Sequence, residues 1–461
     1  MKKKILSLLL SVAVIAAATA CSANEGEGSG TDNSTESAAD SGVENANDDT
    51  GTVGEYYEDG PTISVMTWAY ADRTASIDKW IEGCREKFNI NIDLQNVPTD
   101  NYPAILKTKM ASDDLPDIVN VHMITESFEC ENVTIDENTF LDISELENIA
   151  DYSESILESV TRNGKIYYVP ESQNTLGVLY NKKVFEEHGY TIPTNKTEYV
   201  ALMEQMKADG VTPLAGSFGE SWSAQIIPFI AYDQYVTLPH PDIPQKLYDS
   251  ATNKREMKWT ELEQAEQVLG LANEWVEAGY FTAEPLGSDA TVACQMLATG
   301  QAAMFITGNW EYSVAQSSAP EGTQIGMFAL PLNEEGEEMA VPVQADGGLC
   351  INSKSDNLEA AKTALNYYLS VEIQEATMKD MNGLSTNTKV VSTDAFVQEM
   401  ADFIAKGTPV TGGLYGNNNR SLSRNTSFVI DVEMQSLAGG LETPQEFCEK
   451  LDAAMEEVLE K

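Results

Sequence analysis

Apolar and polar residues alternate along Thr62-Ile63-Ser64-Val65-Met66-Thr67-Trp68. That period belongs to a strand, here ending on an aromatic. Over 74–88 the period changes: Ile77, Trp80, Ile81, Cys84 and Phe88 recur at the spacing of one helix face. Residues 89–97 alternate again, 102–112 read as helical, and 115–121 form a third apolar run of strand length. A β-α-β-α-β order implies a parallel sheet covered by helices. Ligands of such sheets sit beyond the carboxyl ends of the strands, where Trp68 and His122 fall.

The pattern restarts at Lys165 with Ile166-Tyr167-Tyr168-Val169-Pro170, then Leu176-Gly177-Val178-Leu179-Tyr180-Asn181. Helices are expected near 183–188 and over 197–208, the second capped by Thr197. Further helices are expected at about 260–278, 289–299 and 308–318, and at 357–370 and 371–380. Strands are expected at 327–331 and 347–351. An amphipathic helix over 443–460 has Pro444 at its start, where the missing N–H costs nothing. No internal repeat is visible.

The two ends of the pattern differ in kind. Met1-Lys2-Lys3-Lys4 precedes an apolar run from Ile5 to Ala20, too short for a comfortable membrane span of about 20 residues. This is the layout of a secretory signal. It ends at Ala18-Thr19-Ala20-Cys21, which resembles a bacterial lipobox, with Cys21 as the acylated first residue of the mature chain. Two acyl chains on Cys21 would supply the two signals that stable anchoring needs. Residues 22–60 are rich in Gly, Ser, Asn and acids, without Lys or Arg, and are expected to be a disordered tether. Its 39 residues would span roughly 35 Å.

The remaining ~400 residues exceed what one core usually holds, so two lobes are expected. The formal charge of −45 becomes −48 once the signal's three lysines are lost. Such a charge argues against nucleic acid and anionic lipid headgroups as partners. Besides Cys21 there are Cys84, Cys130, Cys294, Cys350 and Cys448, an odd number with no CxxC spacing. They read as mostly buried free thiols. Three scattered histidines (His122, His188, His240) and no DxDxDG loop leave no zinc or calcium signature, and no cofactor is indicated.

Four segments carry a family resemblance. They are Met110-Ala111-Ser112-Asp113-Asp114-Leu115-Pro116-Asp117-Ile118; Gly164-Lys165-Ile166-Tyr167-Tyr168-Val169-Pro170 with Leu179-Tyr180-Asn181-Lys182-Lys183-Val184-Phe185, Gly189 and Pro193; Gly300-Gln301-Ala302-Ala303-Met304-Phe305-Ile306-Thr307-Gly308-Asn309-Trp310; and Gly347-Gly348-Leu349 with Asn357-Leu358-Glu359-Ala360-Ala361-Lys362. Each alone is weak; together, in order behind a lipobox, they are specific. The chain resembles the family 1 extracellular solute-binding proteins, the carbohydrate-binding components of ATP-binding-cassette importers, over nearly all of residues 61–461.

The resemblance implies an α/β, two-lobed periplasmic-binding-protein fold of type II, its ligand cleft between lobes that close like a jaw. It implies a signal peptide at 1–20, a lipidated tether at 21–60, one lobe from 61–172 with about 345–396, and a second from about 173–344 with 397–461. The chain would cross between lobes near 171–175, 340–345 and 395–400. It implies a monomer on the outer face of the cytoplasmic membrane, with a carbohydrate ligand and a membrane permease as partners.

A pyranose has an apolar C–H face and a polar rim, so aromatics and carboxylates or amides should meet in the cleft. Trp68, Trp222 and Trp310 are the aromatic candidates, with core packing as the competing reading; Trp80, Trp259 and Trp275 lie on helical patterns and read as structural. The polar candidates are Asp72, with Arg73 beside it, His122, Glu171 at the first crossing, and Asp346 before Gly347-Gly348, glycines that would let ligand approach the backbone. Tyr415 and Arg424 come from the late Gly412–Arg424 loop, which departs most from the family pattern.

Two other classes compete. A secreted glycosidase needs two carboxylates at a set separation, and 73 acids make any such pair uninformative. No GxSxG, P-loop or HExxH occurs. A surface sensor or adhesin with the same fold, or a binder of another polar solute, remains the alternative.

Overall fold

The computed structural model describes residues 59–68, 70, 73–97, 102–121, 137–161, 164–249, 254–345, 347–410 and 433–459. They all fall within one unit, Val53–Lys461. Cys21, Asp72, His122, Cys130, Asp346, Tyr415 and Arg424 lie outside the described residues.

The first sheet follows the alternation. Strands β1 (Thr62–Thr67) and β2 (Asn91–Asn96) pair in parallel, with Thr62 opposite Asn91. Strand β3 (Ile118–Val121) lies parallel on the other side of β1. Between β1 and β2 runs the helix Thr74–Phe88, which buries Ile77, Trp80, Ile81 and Cys84 against the sheet. Its C-terminus turns at Asn89, whose left-handed φ of 54° suits an asparagine. Trp80 donates its indole N–H to Ala364 O at 2.8 Å, tying this helix to Leu358–Tyr368.

The second sheet is built around one long strand, β4 (Ser172–Asn181). Its second half pairs antiparallel with β5 (Met304–Gly308) and β6 (Ile325–Phe328). Its first half pairs with β7 (Ala340–Ala345) and, after the chain has passed through β8 (Gly348–Ile351), with β9 (Leu384–Ser385). A short β10 (Thr408–Val410) extends the sheet beyond β7. Strand β8 joins the first sheet, antiparallel to β3, giving the order β2-β1-β3-β8. The chain thus alternates between two sheets, each with its own buried hydrophobic cluster, in the two-lobed α/β arrangement.

Three expectations shift. Residues 166–170 form no strand, because Ile166 N–H is taken by the Ser144 hydroxyl at 3.1 Å and Ile166 O by Ile143 N–H at 2.7 Å. The helix Lys196–Ala208 is capped by Asn195 and not Thr197: Asn195 is extended and its side chain accepts Glu198 N–H at 2.9 Å. The helical stretch at 260–278 is broken into Trp259–Glu261, Ala265–Leu269 and Leu271–Glu277, interrupted at Gly270. Thr388 N–H bonds Asp151 O at 2.8 Å, while the helix Ala395–Lys406 packs Phe396, Val397 and Met400 around Phe305 and Val341.

Trp80, Trp259 and Trp275 are buried, as their helical spacing suggests. Cys84, Cys294, Cys350 and Cys448 are free and buried. Burial pushes the Cys84 thiol up to about 12, so it stays protonated and inert at neutral pH.

Candidate functional site

At the carboxyl end of β1, Trp68 is half-buried and meets Tyr102 edge-on, with ring centroids 4.8 Å apart. The Tyr102 hydroxyl lies 2.8 Å from Asn120 O and 3.1 Å from Met66 O, fastening the ends of β1 and β3 under the indole. Arg73 opens the next helix and forms a buried ion pair with Glu171, the residue before β4. Glu171 is 0 % exposed, and its other carboxylate oxygen, Oε1, has no hydrogen-bond partner. Its N–H donates to Gly347 O at 3.1 Å. Glu171 therefore braces the crossing strand in this conformation and presents no carboxylate to solvent. Gly348 serves the same crossing: a β-carbon there would lie 2.2 Å from Val169 O. The glycine makes room for the chain's own backbone, where the sequence suggested a ligand.

On the second sheet, β5 ends at Gly308 opposite Leu176. The ladder is prolonged by a side chain: Asn309, 1 % exposed, accepts Thr175 N–H on its Oδ1 at 2.9 Å. Its Nδ2 donates to Asn174 Oδ1 at 3.3 Å. Trp310 follows and is 37 % exposed, high for an indole. Its ring centroid lies 6.3 Å from that of Trp222, at an interplanar angle of 56°. Trp222 comes from the short helix Ser221–Ala224, whose preceding residue Glu220 accepts Ala290 N–H at 3.0 Å and so ties this loop to the helix Ala290–Thr299. Glu311, beside Trp310, accepts the Cys294 thiol at 3.2 Å. Burial, and then the Glu311 charge, push that thiol well above its ordinary range.

One turn beyond Trp310, Val314 is also exposed, so the apolar face continues along the helix Tyr312–Ser318. Ser313 on this helix is met by the side chain of Asn382, a left-handed residue ending the helix Val371–Met381 that packs on Thr74–Phe88.

The structure thus brings Trp222 and Trp310 together, sets Trp68 at a strand end of the other sheet, and buries Glu171 between the two. Sequence reading missed Asn174 and Asn309, and nothing local marks them, since their contact joins positions 135 apart. Among the described residues no group of three or more His, Cys, Asp or Glu is placed to hold a metal. None of their helices is long and apolar enough to cross a membrane.

The model of the family described as bacterial extracellular solute-binding protein matches residues 79–404. The chain belongs to that family. This extracellular solute-binding protein is 23 % identical over 372 residues to the multiple sugar-binding protein of Streptococcus mutans, covering 77 % of this chain and 83 % of that one. Its fold is that of a chitin oligosaccharide binding protein, with a TM-score of 0.72 at 19 % identity over 87 % of this chain and all of the other. It is likewise similar to the solute-binding protein RafE in complex with raffinose, with a TM-score of 0.70 at 18 % identity over 86 % and 99 % of the two chains. As a solute-binding protein it works by holding a ligand outside the cytoplasm and not by transforming one.

Proposed function

We propose that this solute-binding protein captures an oligosaccharide and delivers it to the permease of an ATP-binding-cassette importer. One observation carries the reading: two tryptophans, Trp222 and Trp310, lie side by side with Trp310 open to solvent at the carboxyl end of β5. An indole pair with one ring exposed offers the flat apolar surface that a sugar's C–H face needs. Asn174, half-buried in the first half of β4, adds a neutral amide, which suits an uncharged hydroxylated ligand. The sugar-binding relatives agree with this choice of solute class.

The two lobes are the first sheet with its helices, about 61–172 and 345–390, and the second sheet with its helices, about 173–344 and 391–461. They hinge where β4 begins and close on a ligand that bridges them. Trp68, Asp72, His122, Glu171 and Asp346 belong to the first lobe or the hinge, and Trp222, Trp310, Tyr415 and Arg424 to the second. The mature protein is a monomer held at the membrane through lipidated Cys21.

The test is titration calorimetry of the tether-less protein with raffinose, stachyose, chitotriose and xylotriose, with dipeptides and free amino acids as controls. A sugar at 100 times its dissociation constant should add about 2.7 kcal/mol to stability. Binding of a peptide control with no response to any sugar would overturn the carbohydrate reading.

A further inference from the structure

The hydrogen bonds around Asn309 fix the orientation of a neighbouring amide, and with it the kind of atom that the site offers to ligand. Thr175 N–H can only donate, so the Asn309 atom 2.9 Å away must be its carbonyl oxygen. The other terminal atom of Asn309 is then its amide nitrogen, which can only donate. The Asn174 atom it meets at 3.3 Å must in turn be an oxygen. The backbone N–H at one end of this network leaves no freedom to exchange O and N in either side chain.

We propose that Asn174 is a specificity-determining residue of the binding site, presenting its amide NH₂ to an acceptor oxygen of the ligand. This rests on the carbohydrate reading above. Asn174 is half-buried, its oxygen is committed to Asn309, and its nitrogen has no hydrogen-bond partner among the described residues. The residue lies in the first half of β4, and the buried side chain that orients it belongs to the residue just before Trp310. Asn309 is the positioning residue: 1 % exposed, it reaches no solvent and acts only through Thr175 and Asn174. A donor locked in this way favours a ligand with a free lone pair at that point, such as a hydroxyl, ring or glycosidic oxygen, and disfavours an ammonium group.

Two measurements test the proposal. In the ligand-free protein, solvent exchange of the side-chain amides is followed by NMR with asparagine labelled in ¹⁵N. The Asn174 NH₂ should exchange quickly with water, and the Asn309 NH₂ slowly. An Asn174 NH₂ as protected as that of Asn309 overturns the proposal, whether or not a sugar is in hand. The second measurement is calorimetry with whichever of raffinose, stachyose, chitotriose and xylotriose binds the wild type tightest. Asn174→Asp keeps the shape and removes both donors, and should weaken binding roughly tenfold or more. Asn309→Asp can still accept Thr175 N–H but cannot donate to Asn174, and should weaken the same sugar similarly while leaving tryptophan exposure to acrylamide unchanged. If Asn174→Asp binds as the wild type does, the proposal is wrong and the carbohydrate reading stands. If the wild type binds none of the four sugars, the carbohydrate reading fails instead, and the amide exchange still decides the orientation of Asn174.

Discussion

The indole of Trp310 folds back over Gly308, so that a β-carbon on the glycine would come within 2.1 Å of the ring. The backbone at Gly308 is ordinary, with φ −93° and ψ 166°, a conformation that any residue adopts. Gly308 is required only by the side chain above it. Gly308→Ala should therefore keep the strand and displace the indole. The expected result is at least a tenfold loss of sugar affinity with a changed tryptophan emission spectrum. Unchanged affinity would mean that the position of Trp310 over Gly308 does not matter to binding.

Trp310→Ala separates an exposed binding ring from a packed one. With 37 % of its surface exposed, its removal should cost folding little, under about 1 kcal/mol in urea unfolding. Loss of an aromatic anchor should weaken the best sugar some 30-fold, about 2 kcal/mol. Normal binding together with early unfolding would place Trp310 in the core.

Glu171→Gln tests whether the buried carboxylate serves the fold or the ligand. The substitution breaks the buried Arg73–Glu171 ion pair, which typically destabilises a protein by about 3–5 kcal/mol. Sugar affinity measured well below the unfolding transition should stay within about threefold of wild type. The reverse pattern, intact stability with weak binding, would return Glu171 to the ligand-binding set that the sequence suggested.

Asp117 predicts a pH dependence. Burial alone would raise its pKa, but hydrogen bonds from the Ser355 hydroxyl at 2.5 Å and from Ser64 N and Oγ at 2.7 and 2.8 Å bring it below the ordinary 3.8. An acid whose pKa is lower folded than unfolded stabilises above the unfolded value, and the contribution fades as pH falls through the folded one. Asp117→Asn should thus lose about 1–2 kcal/mol at pH 7, a figure kept low because the site is partly open to water. Its deficit should shrink as the pH is taken from about 5 downward. Urea unfolding of both proteins at pH 7, 5, 4 and 3 measures this; a deficit constant across the series would refute it.

Cys21→Ala tests the anchor. The variant should carry no lipid label and should appear in the medium rather than the membrane fraction. Retention in the membrane without a label would point to some other attachment.

Much of the first lobe was legible because its signals are local. The face of Thr74–Phe88 that holds Ile77, Trp80, Ile81 and Cys84 is written in a 3.6-residue period, and the parallel pairing of β1 with β2 and β3 follows from strands separated by helices. The site was legible only in part. Trp222 and Trp310 were found by residue type and motif, and the structure sets them 6.3 Å apart. Glu171 reads from the sequence as a ligand carboxylate, but its surroundings are decided by Arg73, 98 positions earlier. Asp72, His122, Asp346, Tyr415 and Arg424 lie outside the described residues.

The sequence by itself determined the elements of the first sheet, because each depends on the order of neighbouring residues. Only the tertiary structure decided the role of β4. Its second half, from Leu176, reads as one more apolar run and pairs with β5 and β6, but its polar first half, Ser172–Thr175, carries no such signal and pairs with β7 and β9. Those partners arrive from more than 120 positions downstream, so no local period could encode them. The same distance hides the amide chain from Thr175 through Asn309 to Asn174. A hydrogen bond's direction depends on which atoms meet, and these meet only once both strands are in place.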